Sequence, residues 1–140
     1  MLDRDRILAR VAELDGYLGE LDSIRPVNRG EFEVIEKKRA CERLLQISIE
    51  TVVSICQLFV VGLRLGLPSE ENDVFKKLER AGIVSPDVAK ILHTMKGFRN
   101  LLLHEYGDVD DDLVFLFPTT RTADFLLFRQ EILQALARSG

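Results

Sequence analysis

The sequence contains no tryptophan, and it has only two cysteines, two histidines and four prolines in 140 residues. Each scarcity excludes something. Cys41 and Cys56 lie within helical patterns and lack CxxC spacing, so they read as buried reduced thiols, not a disulfide framework or redox pair. Two histidines without clustered cysteines leave no structural metal site, and neither metal nor cofactor is expected. No run of eighteen apolar residues is available to span a bilayer. The opening MLDRDRILARVAELDGYL alternates charged and apolar residues, unlike a signal or transit peptide. A cytoplasmic location with no membrane partner is therefore expected. Basic residues do not dominate either: 19 Lys and Arg against 23 Asp and Glu give a net charge of -4 and a pI near 5.2. That balance argues against a broad electrostatic footprint for nucleic acid. A local positive cleft made by a few Arg and Lys stays open.

What is present is helical periodicity in a chain the length of one domain, and residues 1–140 are read as a single domain. Ile7, Val11, Leu14, Leu18 and Leu21 form one apolar stripe on a helix from Asp3 to about Leu21. Ser23 to Gly30 is a connector. From Glu31 to about Leu65 runs a much longer pattern, closed by Gly66 and Pro68. Its second half, ISIETVVSICQLFVVGL, is apolar on nearly every face and needs cover on several sides. β-branched residues crowd it, so a buried strand competes locally, but the length favours a helix. Glu70 to Ala81 reads as a short charged helix closed by Gly82. Ser85-Pro86-Asp87 then supplies a capping serine, a proline for the first helical position and an acid in the first turn. The helix it opens carries Ile91, Met95, Phe98 and Leu102 inward and stops near Gly107. Asp108 to Asp112 supply a new cap before LVFLF, and Pro118 breaks that run. Thr122 to Ala137 forms a last helix with Phe125, Phe128, Ile132 and Leu136 inward. The expected fold is all-α, an antiparallel bundle of about five helices.

The stretch GFRNLLLHEYG at 97–107 stands out, because its polar residues interrupt an apolar helix. Gly97, Asn100 or Leu101, and His104 share one face, flanked by Lys96, Arg99 and Leu103. A helix-interior glycine costs about 1 kcal/mol relative to alanine, so Gly97 suggests close approach of another backbone, as at a packed or dimeric seam. Arg, Asn and His without a metal or cysteine suit phosphodiester cleavage in RNA. Histidine moves protons near neutral pH, arginine offers a rigid fork to phosphate, and RNA brings its own 2′-hydroxyl nucleophile. A structural role for an Arg and a His on one helix remains the competing reading.

The run Arg99-Asn-Leu-Leu-Leu-His104 resembles the motif of the HepT-like toxins of the HEPN superfamily, Arg followed after four to six residues by His. Gly97-Phe98 before it and Glu105-Tyr106 after it fit as well. LDRDRILARVAELDGYLGEL, RACERLLQISIETVVSICQ, AGIVSP and FLLFRQEIL are similar to the family's other segments. The resemblance thus covers nearly the whole chain. It implies a dimeric all-α fold whose two Arg/His motifs line a cleft at the subunit interface. It also implies a metal-independent endoribonuclease, the toxin of a pair whose antitoxin is an MNT-type nucleotidyltransferase. That partner would neutralise it by moving adenylate from ATP to a tyrosine two residues after the histidine, here Tyr106. Carried over singly, Arg99 binds and stabilises the phosphate, His104 is the acid/base and Asn100 orients the scissile group or holds the cleft.

Two further polar features leave alternatives. Arg39, Glu42, Arg43, Gln46 and Glu50 recur at helical steps. They read either as a hydrogen-bonded helix face or as a line in which Glu42 and Gln46 buttress the motif or bridge the dimer. His93 lies roughly on the Gly97 line and reads as surface or interface polar. The segment Leu113 to Thr120, with its Pro118, departs from the family pattern, which commonly continues into a tyrosine-containing helix. The runner-up function is a non-catalytic HEPN subunit that binds nucleotide or positions substrate for a nucleotidyltransferase. A third reading is a helical dimerisation module without activity.

Overall fold

In a computed structural model of the chain, residues 1–26, 28–103 and 122–139 are described. They form six helices: α1 (Arg4–Ile24), α2 (Arg29–Phe32), α3 (Ile35–Gly62), α4 (Glu71–Arg80), α5 (Pro86–Leu103) and α6 (Thr122–Ser139). No strand occurs among the described residues. Asp3 caps α1 by accepting from the Arg6 amide at 3.2 Å. The five residues of the expected stripe, Ile7 to Leu21, are its buried set. The helix runs one turn further than its apolar pattern, and Ser23 donates its hydroxyl to the Glu20 carbonyl.

The long helix does not begin at Glu31. Asn28 accepts from the Glu31 amide at 2.8 Å and opens a single turn, α2, which buries Phe32 completely. The backbone then extends at Val34 before α3 starts. Anchoring a phenylalanine in the core at that point breaks a pattern that reads as continuous in sequence. At its other end α3 stops at Gly62, earlier than Gly66 and Pro68 suggest. The Leu65 amide reaches back to the Val60 carbonyl, with Arg64 left-handed at φ 54°. That is a Schellman closure with arginine where glycine is usual. Gly62 is required for another reason. A Cβ there would lie 2.9 Å from the Leu2 Cα, because the N-terminal residues cross α3 and the Met1 amino group donates to the Gly62 carbonyl.

α3 is the central element, packed by α1, α2, α4 and α5, while α6 closes the bundle against α5 and α1. Cys41, Leu45, Ile49, Val52, Ile55, Cys56 and Phe59 are fully buried along it. Each large apolar side chain so buried contributes about 1.5–3 kcal/mol. α3 is long and apolar enough, by length and composition, to cross a membrane. Yet 56% of that apolar stretch is buried inside the protein, as suits a core helix. Arg4 donates to the Leu136 carbonyl at 2.6 Å, and Arg129 grips Asp15 with both arms of its fork at 2.7 and 3.0 Å. These two contacts tie α6 to α1.

α5 is positioned from both sides of its start. Ser85 accepts from the Val88 amide, while Glu131 on α6 accepts from both the amide and the hydroxyl of Ser85, at 2.7 and 2.8 Å. α4 ends in a Schellman turn with Gly82 at φ 73°. At the start of α4, the Ser69 amide donates to Asp73 and holds its carboxyl below the usual carboxylate range. The inward face of α5 is Val88, Ala89, Leu92, Met95 and Phe98; Ile91 and Leu102 are partly buried beside it.

Candidate functional site

Arg99 sits in the last described turn of α5, one residue past Phe98, which is buried. That neighbour fixes the rotation of the helix and turns Arg99 toward α4. The Arg99 Nη2 donates to Glu71 Oε1 at 2.6 Å and to Asn100 Oδ1 at 3.3 Å. The arginine side chain is 11% exposed and the glutamate 29%. Both hydrogens of Nη2 are therefore committed. The Nε is buried and has no hydrogen-bond partner among the described residues. A guanidinium carries five N–H donors in a fixed fork, and only one nitrogen of this one is held by the protein groups just named. Among the described residues the arginine is thus braced at one corner, through Nη2.

The residue beside Glu71 holds the preceding turns of α5. Asn72 Oδ1 accepts from Lys96 Nζ at 3.2 Å and lies 3.1 Å from His93 Nδ1. An amide oxygen only accepts, so His93 carries its proton on Nδ1. The His93 ring stands edge-on to Phe75 of α4, with centroids 5.3 Å apart. The first turn of α4 therefore organises three polar side chains of α5.

His104 and Tyr106 lie outside the described residues, as do the helix stop near Gly107, the Asp108 to Asp112 cap and Pro118. Asn100 is exposed beside Arg99. Glu42 and Gln46 hydrogen-bond along α3 itself, to Arg39 at 3.0 Å and to Glu50 at 3.1 Å. Neither meets Arg99 in a hydrogen bond among the described residues. A Cβ added at Gly97 would find nothing within 4 Å, so no backbone among the described residues crowds it. No group of three or more His, Cys, Asp or Glu that could hold a metal ion occurs among the described residues. Glu71 and Asn72 carry no signal in the sequence beyond polar residues in the first turn of a short helix, since no spacing rule joins positions 71 and 99.

A family profile described as ribonuclease HepT-like matches residues 14–132, which takes in α2 to α5 whole and most of α1 and α6. The chain belongs to the ribonuclease HepT-like family. It is similar to the tRNA nuclease HepT of Aphanizomenon flos-aquae, 26% identical over 127 residues, 90% of this chain and 86% of that one. The fold is similar to that of the tri-AMPylated Shewanella oneidensis HEPN toxin in complex with MNT antitoxin. The TM-score is 0.86 at 20% identity, over 96% of this chain and 99% of the toxin. A cytosolic protein of unknown function from Bacillus subtilis, YutE, has the same fold, with a TM-score of 0.84 at 17% identity over 99% and 93%. For this HepT-like chain the expected all-α bundle and family are both met, and the motif arginine stands on α5.

Proposed function

We propose that this HepT-like chain is the toxin of a HEPN/MNT toxin–antitoxin pair, a metal-independent endoribonuclease of the cytoplasm acting as a homodimer. One observation carries the reading: in a HepT-like chain, an Arg-x4-His spacing begins at a nearly buried arginine braced by an acid from the neighbouring helix. In the proposed step the RNA 2′-hydroxyl attacks the adjacent phosphorus and the P–O5′ bond breaks. The 2′-hydroxyl proton leaves to a base, a proton is returned to the 5′-oxygen, and a cyclic phosphate remains. Arg99 stabilises the charge moving onto the phosphoryl oxygens, and His104 transfers the protons. Asn100 holds the scissile group, and Glu42 and Gln46 support the cleft from α3. A second copy would cover the exposed Gly97 line together with Leu101, Leu103, Leu126 and Leu127, which are 47–55% exposed.

Neutralisation is proposed at Tyr106. The tyrosine oxygen attacks the α-phosphorus of ATP, pyrophosphate leaves, and the attached AMP places an anion and a base beside Arg99. The AMP groups on the Shewanella toxin support this reading. Incubation with ATP and the MNT-type nucleotidyltransferase should add AMP to the chain by mass spectrometry, and Tyr106→Phe should lose it. Addition that persists at another residue in Tyr106→Phe would overturn the acceptor assignment. The second reading, a non-catalytic subunit that binds nucleotide or positions substrate for the transferase, draws on one observation: Glu71 pairs with Arg99.

A further inference from the structure

An acidic chain that cuts RNA needs a local attraction for phosphate, and the bonding pattern of α5 points to where it lies. Several basic side chains elsewhere are matched with carboxylates, Arg10 with Glu13, Lys37 with Glu31, Arg39 with Glu42, Lys77 with Asp73 and Arg129 with Asp15, while Arg4 and Arg138 donate to backbone carbonyls. α5 shows a further pattern. Lys90, His93, Lys96 and Arg99 recur at every third position, a ridge that winds around the helix over a rise of about 13 Å. Lys96 has no carboxylate partner among the described residues, although acids outnumber bases in the chain. It is held by the neutral amide of Asn72, which also fixes His93. An amide oxygen orders an ammonium without cancelling its charge, whereas a carboxylate would do both.

We infer that Lys96 and His93, ordered by Asn72, form a backbone-phosphate subsite for RNA that continues from Arg99 along α5. The inference rests on the ribonuclease reading for its choice of ligand. It adds a binding track that the Arg/His motif does not contain. RNA is favoured over an acidic protein surface because the ridge ends at the arginine assigned to the scissile phosphate. In this arrangement α4 works as a sorting device. Glu71 braces the residue meant for the reacting phosphate, and Asn72 orders the flanking Lys96 and His93 with a neutral acceptor for neighbouring ones.

The test uses the full chain and labelled bulk tRNA as the probe, with cleavage and anisotropy binding measured across salt concentrations. Asn72→Asp puts a carboxylate against Lys96 and His93 while keeping their hydrogen bonds, and an acid in the first turn of α4 suits the helix dipole. Its melting temperature should be no lower than wild type, yet KM should rise about tenfold with kcat unchanged. Lys96→Ala should raise KM similarly and lessen the salt dependence by about one phosphate contact, a slope change of about 0.7. Wild-type KM and salt slope in both variants, with cleavage intact, would overturn the subsite and leave the ribonuclease reading standing. Normal cleavage with lost binding of the nucleotidyltransferase would also overturn it, making the ridge a protein-docking face. A chain that binds tRNA without cutting it, and binds more weakly as Asn72→Asp, supports the subsite and removes the nuclease reading. If wild type neither cuts nor binds tRNA, both fall.

Discussion

Arg99 serves two requirements with one side chain. It has to stay charged and oriented while 11% exposed, and it has to keep donors free for a phosphate. Glu71 meets the first by compensating the charge across 2.6 Å, and it takes only one nitrogen in doing so. A partly buried ion pair is not a large net source of stability, because desolvation offsets the attraction. Removing one partner is costly, since the other is left uncompensated. Glu71→Ala is therefore expected to destabilise the fold by about 1–3 kcal/mol in urea denaturation, below the fully buried case because the glutamate is 29% exposed. Glu71→Gln, which keeps an acceptor, should lose less. Equal stability of Glu71→Ala and wild type would mean that the pair does not brace the arginine. Nothing at position 71 announces this partnership in the sequence. It arises when α4 folds back on α5, a contact between residues 28 apart.

The helices differ in how readable they are, and the reasons are local. α1 is legible because one face meets the core and the other meets water, so Ile7 to Leu21 keep strict helical spacing. α5 is legible at its start, where Ser85 and Pro86 impose the cap, but less so on its inner face. There Leu92 is buried and Ile91 only partly, since the helix rotates to seat against both α3 and α6. The start of α3 was hidden because Phe32 continues the apolar period across a break that only its burial explains. The thiols of α3 were readable as buried, and their chemistry follows. Burial pushes the Cys56 thiol far above its usual range and raises Cys41 as well, so both stay protonated at neutral pH. Neither should react with a thiol reagent such as dithionitrobenzoate in the folded protein, and both should react in denaturant. Rapid labelling of Cys56 under native conditions would show that the α3 core opens readily.

Across the molecule, the charge balance and the proposed activity pull in opposite directions, and one helix of the bundle eases this by holding few acids among its bases. α5 carries Lys90, Lys96, Arg99 and His93 against one acid, Asp87, in a chain of net charge -4. Composition alone conceals that asymmetry. The motif's spacing and the HepT-like resemblance were legible from residues 97–106, whereas the bracing from α4 required the folded chain. The central claim is that Arg99 and His104 cut RNA without a metal. The direct measurement is cleavage of labelled tRNA by the purified chain in excess EDTA, beside Arg99→Ala and His104→Ala of confirmed helicity. Cleavage by wild type, unaffected by EDTA and reduced at least about a hundredfold in each variant, is the predicted result. Cleavage that disappears with EDTA, or that survives both substitutions in folded protein, would contradict it.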